Sequence, residues 1–379
     1  MKKHLIKPDF HNNIINISAT LAAFLGCPND KPVLPALKKE LDKGYKNVVF
    51  LILDGLGMHP VNINLEEDSF LRRNIRQVVT SVFPSTTTNA TTSYLTNKYP
   101  MEHGWFGWSL YFEELKRAVD IFPCTDSFTG EPVDRAVIKD MLPVEPFYQQ
   151  AKSDYKVSVV APAYCDYPCA NRYSWDTLPQ MFDCIENICK SPDKQFVYAY
   201  CSEPDGTMHR FGVSSKEARQ VIGELNSGAE KLCAELKDTL LIISADHGQI
   251  DVGGYVKIYE DTELTSMLEW PQYLEARAAA FKVKEDCRGK FEETFNRKYG
   301  EDFKLFKTEE LIKENYFGGN FKGGYARLLG DYIAVGITDK IFELTPLSHV
   351  HKGHHTSLTE EMEVPLIIIG TQRKEKKAF

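Results

Sequence analysis

Six short apolar runs, each apolar on both faces and mostly rich in β-branched residues, constrain the fold more than any other feature of this sequence. They are 47–53 (NVVFLIL), 77–83 (QVVTSVF), 156–162 (KVSVVAP), 196–201 (FVYAYC), 240–245 (LLIISA) and 364–370 (VPLIIIG). Such runs predict central strands of a sheet that is covered on both faces. Helical patterns lie between them, such as 214–238, where Ser214 or Ser215 can cap. The alternation predicts an α/β fold with a mostly parallel central sheet and helices on both faces.

The chain has 379 residues, enough to bury the core of a single catalytic domain over 1–379. From about 265 to 330, strand-like and helix-like segments interrupt the regular alternation before the last core strands. This region predicts a small inserted α+β subdomain. It can serve as a cap that selects substrates, or it can be an insertion that only adds packing.

The composition argues against some classes of partner. A formal charge of −8 gives no electrostatic reason to expect binding to a nucleic-acid polymer or to an anionic membrane. The sequence has no apolar run long enough to span a bilayer and no leader-like N-terminus, so we expect a cytoplasmic protein. An anionic substrate would then need positive charge from a metal or from a few placed residues.

Carboxylates and imidazoles lie beside several of the apolar runs, where the predicted strands begin or end. They are Asp54 after the first run, Asp205 with His209, Asp246 with His247, and a group of His349, His351, His354 and His355 before the last run. A lone Asp after a strand favours a helix cap or a turn. Ligands bind at the carboxyl ends of the strands in open α/β sheets, so the set as a whole predicts a site for divalent metal ions. More than four ligands suit two ions better than one.

A run of hydroxyl residues, FPSTTTNATTS at 83–93, follows the second apolar run and precedes a helical pattern. By itself the run favours an N-cap and a polar helix face. A hydroxyl at the start of a helix beside a bound metal could instead serve as a nucleophile, because the metal lowers the pKa of the hydroxyl and the helix N-terminus attracts an anionic group. The ligands predicted at the other strand ends favour this second interpretation.

Five ordered motifs resemble those of the alkaline phosphatase superfamily, and within it the type I phosphodiesterase and nucleotide pyrophosphatase family. They are VVFLILDGLG, FPSTTTNATTSYLTNKYPMEHG, YCSEPDGTMHRFG, SADHGQ and KGHHTSLTEEMEVPLIIIG. The resemblance implies an alkaline-phosphatase-like core and two divalent metal ions, usually zinc, with manganese or iron as alternatives. The implied ligands are Asp205, His209 and His355 for one ion, and Asp54, Asp246 and His247 for the other.

The resemblance also implies a mechanism. Thr87 would attack phosphorus and form a phosphothreonine intermediate, which water would then hydrolyse. The substrate would be a small phosphorylated molecule with a phosphodiester or nucleotide pyrophosphate bond. The family motif usually carries an Asn three residues after the nucleophile, where this chain has Ala90; Asn89, two residues after Thr87, is the amide predicted to take its place.

Substrate choice depends on the pocket around the leaving group. Trp105, Trp108 and Tyr111 follow the nucleophile motif, and they could stack on a nucleobase or another flat group, or they could pack in a core. The same two-metal site would serve a phosphomonoesterase or a phosphonate hydrolase. An alternative of another class is a non-catalytic metal-binding relative, which the complete set of ligands and nucleophile disfavours.

Overall fold

The computed structural model describes residues 3–319 and 324–372; residues 320–323, within the predicted insertion, and both chain ends lie outside the described residues. The strands are β1 (Asn47–Leu53), β2 (Ile75–Thr80), β3 (Ser109–Phe112), β4 (Arg117–Asp120), β5 (Thr125–Asp126), β6 (Lys156–Val160), β7 (Arg172–Tyr173), β8 (Gln195–Cys201), β9 (Thr239–Ser244), β10 (Ile250–Asp251), β11 (Gly254–Lys257), β12 (Tyr273–Glu275), β13 (Ala278–Phe281), β14 (Phe303–Lys307), β15 (Tyr332–Gly336), β16 (Lys340–Glu343), β17 (Gly353–His354) and β18 (Glu363–Gly370). The α-helices are α1 (Ile14–Phe24), α2 (Pro35–Leu41), α3 (Met58–Asn64), α4 (Phe70–Arg73), α5 (Thr87–Thr96), α6 (Pro100–His103), α7 (Arg135–Met141), α8 (Leu178–Cys189), α9 (Asp205–Phe211), α10 (Lys216–Glu235), α11 (Thr262–Thr265), α12 (Arg288–Tyr299) and α13 (Thr308–Lys313).

The first sheet contains all six predicted strands, in the order β2-β18-β9-β1-β8-β6-β7. β1 pairs in parallel with β8 and β9, whereas β18 runs antiparallel to both of its neighbours. Every residue of β1, β8 and β9 is buried, so both faces of the sheet centre are covered. These observations confirm the prediction of an α/β fold with a mostly parallel sheet.

β2 corrects one detail of the prediction. The run at 77–83 was expected to be a central strand, but β2 ends at Thr80 and lies at the edge of the sheet, where it pairs only with β18. Of its side chains only Val79 is fully buried. Phe83 lies beyond the strand and packs in the core of the second sheet. β18 takes the inner position because it inserts between β2 and β9.

The helices around the first sheet form two packed groups. α1 contacts α2 and α5 in one group, and α10 contacts α3, α4, α8 and α9 in the other. Of the two predicted N-caps of α10, Ser214 and Ser215, the structure confirms Ser215. Its hydroxyl accepts a hydrogen bond from the Ala218 amide at 3.0 Å. The buried residues of α10 recur at helical spacing and are Ala218, Ile222, Leu225, Ala229 and Leu232.

The second sheet is antiparallel, with the order β14-β15-β13-β12-β3-β4-β5. It joins three antiparallel strands from residues 109–126 to strands from residues 273–336. Alternate residues of β13 enter different cores: Ala278 and Ala280 pack on one face, and Ala279 and Phe281 pack on the other. The sheet is therefore buried on both faces and extends well outside the predicted insertion.

Within residues 3–319 and 324–372, no helix combines the length and the apolar character needed to cross a bilayer.

Candidate active site

The carboxyl ends of three central strands bring the predicted ligands together. Asp54 follows β1 directly, and Asp246 and His247 follow β9 after one residue. Asp205 and His209 lie one turn apart on α9, which begins shortly after β8. Because β1 pairs in parallel with β8 and β9, their carboxyl ends lie at the same edge of the sheet. Local sequence sets each residue at a strand end, and the strand order makes them neighbours.

Asp205, His209 and His355 form the first convergent set. One ligand atom from each lies within 4.8 Å of the other two. The Asp205 Oδ1 atom is 3.5 Å from His209 Nε2 and 3.9 Å from His355 Nε2. The structure thus brings together the trio that the family resemblance implied for one metal ion.

The second convergent set differs from the implied trio in one member. Asp54 and His247 converge with Asp205, which therefore belongs to both sets. Asp246 lies beside them, with its Oδ2 atom 3.5 Å from His247 Nε2. Its Oδ1 atom accepts hydrogen bonds from the amides of Gly55 and His247, whereas the buried Oδ2 atom has no hydrogen-bond partner among the described residues. A free buried carboxylate oxygen beside two other ligands fits a bound cation.

The three histidines of these sets share one arrangement, in which each Nδ1 atom lies beside a backbone carbonyl oxygen. The pairs are His209 with Gly353 at 2.8 Å, His247 with Gly248 at 3.0 Å and His355 with Ser85 at 3.2 Å. A carbonyl oxygen can only accept, so each Nδ1 atom carries the proton and each Nε2 atom presents a lone pair to the site. Metal-binding histidines are commonly oriented in this way.

The electrostatics of the cluster also fit cations. Burial, followed by the nearby Asp246 and Asp205, raises the pKa of Asp54 well above its usual value, and burial raises the pKa of Asp246. Burial and the neighbouring His247 and His209 hold the pKa of His355 well below its usual value. In the described part of the chain, no Lys or Arg side chain pairs with these carboxylates. Divalent ions would supply the missing positive charge.

Thr87 is the first residue of α5 and lies against the second set. Its Oγ1 atom is 3.1 Å from His247 Nε2 and donates a hydrogen bond to Asp54 Oδ1 at 3.4 Å. Thr86 is the extended residue before the helix, and its side chain makes no capping bond. Of the hydroxyls in the run, Thr87 is therefore the one that contacts the predicted ligands.

Asn89 is fully buried in the first turn of α5. Its Nδ2 atom donates to the carbonyl oxygen of Pro84 at 2.9 Å, which closes the turn before the helix. Its Oδ1 atom has no hydrogen-bond partner among the residues described. A contact between Asn89 and a phosphoryl oxygen stays a prediction.

The three aromatic residues predicted to hold a leaving group have different surroundings. Trp105 donates its Nε1 hydrogen to the Leu142 carbonyl oxygen at 3.1 Å. Tyr111 stacks on Trp270 with ring centres 4.3 Å apart. Trp108 is 43% exposed, so it alone has a large accessible surface. Their contact with substrate stays a prediction.

Three polar residues near the site escaped the sequence reasoning. The Tyr200 hydroxyl donates to Asp54 Oδ2, and the Gln249 amide donates to Asp205 Oδ1. Glu275 accepts a hydrogen bond from the Trp108 amide at 2.7 Å and another from Thr86. Two of them could have been found from the sequence: Tyr200 is a polar residue inside an apolar strand run, and Gln249 ends the SADHGQ motif. Glu275 gave no local signal because it comes from the second sheet.

The fold and the site define the class of protein, a hydrolase with the mixed α/β fold of the alkaline phosphatase superfamily. The chain belongs to the type I phosphodiesterase / nucleotide pyrophosphatase family, whose sequence profile matches residues 48–336, and it is a phosphoric ester hydrolase. A comparison with curated protein sequences gave no match.

Several solved structures are similar. Murine ectonucleotide pyrophosphatase/phosphodiesterase 5, as an inactive variant in complex with AMP, is 17% identical over 86% of this chain and 91% of that chain, with a TM-score of 0.61. The human protein of the same name is 15% identical over 86% and 90%, with a TM-score of 0.62. Phosphonoacetate hydrolase from Sinorhizobium meliloti, in complex with phosphonoacetate, is 14% identical over 87% and 91%, with a TM-score of 0.62. At these identities the likeness shows the fold alone.

Proposed function

We propose that this enzyme hydrolyses phosphodiester or nucleotide pyrophosphate bonds of small phosphorylated substrates, with Thr87 as the nucleophile and two divalent metal ions, most often zinc. One observation carries the proposal: the Thr87 hydroxyl, at the N-terminus of α5, lies 3.1 Å from His247 Nε2 and 3.4 Å from Asp54 Oδ1. A hydroxyl in this position can be activated by the site and can reach an anionic group held at the helix N-terminus.

The side chains would divide the metal ligation as follows. Asp205, His209 and His355 would hold one ion, and Asp54, Asp246 and His247 would hold the other, with Asp205 close enough to serve both. When bound, the ions would supply Lewis-acid stabilisation of the phosphoryl oxygens and lower the pKa of the hydroxyl. Tyr200 and Gln249 would keep Asp54 and Asp205 in place through their hydrogen bonds.

The chain would act in two steps. Thr87 Oγ1 forms a bond to phosphorus as the bond from phosphorus to the leaving oxygen breaks, and the hydroxyl proton passes by way of solvent to the leaving oxygen. Water then attacks phosphorus, and the phosphoryl group leaves Thr87 with regeneration of the hydroxyl. The free amides at the start of α5 face the phosphoryl oxygens during both steps.

Replacement of Thr87 by Ala tests the nucleophile. We expect kcat/KM to fall on the order of 10⁴-fold or more, while elemental analysis still finds about two metal ions per chain. The matched control is Thr88→Ala, which removes the next hydroxyl of the run; that hydroxyl is buried and has no hydrogen-bond partner among the described residues, so activity should change little. Full activity in Thr87→Ala would show that another group attacks phosphorus.

The bond type is tested by comparing substrates on the purified, zinc-loaded chain. We expect bis-p-nitrophenyl phosphate or a nucleotide p-nitrophenyl ester to be turned over faster than p-nitrophenyl phosphate or phosphonoacetate. A preference of a hundredfold for the monoester or the phosphonate, about 2.7 kcal/mol in barrier height, would refute the diesterase assignment and leave the metal site intact. The cytoplasmic location stays a prediction, which cell fractionation would test.

A further inference from the structure

Three histidines of one loop are not used by the proposed mechanism. His349, His351 and His354 lie between β16 and β18. Their rings continue outward from the first ligand set, which is the convergent set of Asp205, His209 and His355. The ring centres of His209 and His351 are 4.5 Å apart, and those of His351 and His349 are 6.2 Å apart. His354 lies beside both His351 and His355, at 5.1 Å from each.

The rings form a series from the buried site to solvent. His355 is buried, His351 is half-buried, and His349 is exposed. Val350, between His349 and His351, is 65% exposed, so this part of the loop lies at the surface. Imidazole side chains at successive depths thus connect the first ligand set with the surface.

The loop is held at two adjacent backbone positions, His351 and Lys352. The Lys352 amide donates to the His209 carbonyl oxygen at 2.8 Å, which ties the loop to α9. The Tyr255 hydroxyl donates to the His351 carbonyl oxygen at 2.6 Å. These bonds fix the backbone and leave the rings free to take up a ligand.

The ring nitrogens differ in availability. His354 Nδ1 accepts the hydrogen bond of the His355 amide at 2.8 Å, so this ring serves the loop backbone. In contrast, within residues 3–319 and 324–372 no hydrogen bond to the protein engages a ring nitrogen of His349 or His351. These two imidazoles, whose ring nitrogens have no hydrogen-bond partner among the described residues, lie beside the predicted ligand His209 and are free to coordinate an ion.

The spacing of the rings suits a shared ion. Two imidazoles on one tetrahedral zinc, each with a bond of about 2.0–2.1 Å, place their ring centres roughly 5 Å apart. The observed separations of 4.5 Å and 6.2 Å lie on either side of this value. A small rotation of the exposed His349 side chain about its two side-chain bonds would bring it to the required distance.

We propose that His349 and His351 bind a divalent transition-metal ion at the mouth of the active site, and that the ion moves inward from this outer site to His209 and His355. This inference rests on the proposed two-metal function. Two imidazoles with water completing the shell hold an ion more weakly than three or four protein ligands, as a loading site requires. The ion exchanges bound water for imidazole nitrogens at each transfer, so no electron is transferred.

The test is zinc titration of the full chain after chelation, in competition with a chromophoric chelator. We expect two tight equivalents and a third, weaker one. His349→Asn/His351→Asn should lose the third equivalent, keep the two tight ones, and regain activity more slowly at limiting free zinc. The single variant His349→Asn, which changes only an exposed ring, should show the same trend in case the double variant folds poorly.

The matched control is His4→Asn/His11→Asn, which removes two exposed imidazoles from the N-terminal segment and should behave as the wild type. Two tight equivalents without a third, or a third that survives in both loop variants, would overturn the outer site. Loading rates equal to the wild type would overturn the inward transfer. If the wild type binds no tight equivalents of zinc, the proposed two-metal function is refuted, and the inward transfer with it.

Discussion

Glu275 allows a prediction whose size follows from the structure. This carboxyl is buried on β12, where it accepts hydrogen bonds from the Trp108 amide and from Thr86, the residue before Thr87. Burial, aided by the nearby Asp120 and Asp205, raises the pKa of Glu275 from 4.5 to about 7. Glu275→Gln keeps an oxygen for the Trp108 amide and removes the proton equilibrium.

The sign follows from proton linkage. The folded state holds the Glu275 proton more tightly than the unfolded state, so this stabilisation is complete below pH 4.5 and is lost as the pH rises through about 7. A shift of about 2.5 units corresponds to about 3 kcal/mol at 1.36 kcal/mol per unit. Unfolding entropy of about 2.1 cal/mol/K per residue gives the whole chain about 0.8 kcal/mol/K, so the difference in Tm should be about 4 °C.

The assay is calorimetric unfolding of wild type and Glu275→Gln between pH 5 and pH 8. A chelator is included because a cation at Asp205 would weaken the repulsion that raises the pKa of Glu275. The stability of the variant relative to wild type should rise by about 2.5 kcal/mol across this range, since part of the change lies below pH 5, and it should level off above pH 7. Glu113→Gln, at an exposed position after β3, is the control and should follow the wild type. A relative stability constant to within about 0.5 kcal/mol would refute the reasoning.

Three further predictions concern packing and ligation. Arg277 and Glu361 are fully buried and form an ion pair at 2.8 Å. In denaturant titrations, Arg277→Leu should lower the free energy of unfolding by about 3–5 kcal/mol, and adding Glu361→Leu should restore part of this loss. Strictly additive losses would contradict the pairing. Thr356 has a φ of +94°, a strained conformation for a residue other than glycine. Thr356→Gly and Thr356→Ala both lose the hydrogen bond from the Arg277 amide, but only Gly relieves the strain, so the Gly variant should be more stable by about 1 kcal/mol in thermal unfolding. A more stable Ala variant would argue against strain. Elemental analysis should find about one metal ion per chain in Asp54→Ala and in His355→Ala, compared with about two in the wild type. Unchanged metal content in either variant would show that the replaced residue is not a ligand.

Much of the fold was predictable because it depends on local patterns. The six apolar runs all became strands of one sheet, and the three central ones, β1, β8 and β9, are covered on both faces, as a run without polar alternation requires. Ser215 starts α10 because its hydroxyl satisfies a free amide of the first turn. The predicted ligands also meet, since residues after parallel strands share one edge of the sheet.

Other features depend on pairing between distant segments. The second sheet joins residues 109–126 to residues 273–336, and no local pattern records that β3 pairs with β12. The edge position of β2 follows from the insertion of β18 beside β9, although the sequence of β2 resembles that of a central strand. Register and strand order are set by contacts across the whole chain, so periodicity alone cannot supply them.

The sequence by itself therefore determined which residue types stand at each strand end and the order in which the family motifs occur. Only the tertiary structure decided that Asp205 belongs to both ligand sets, and that Thr87 is the hydroxyl in contact with Asp54 and His247. The reason is physical: identity and spacing are local, whereas a distance of 3 to 4 Å between side chains depends on how separate strands and helices pack.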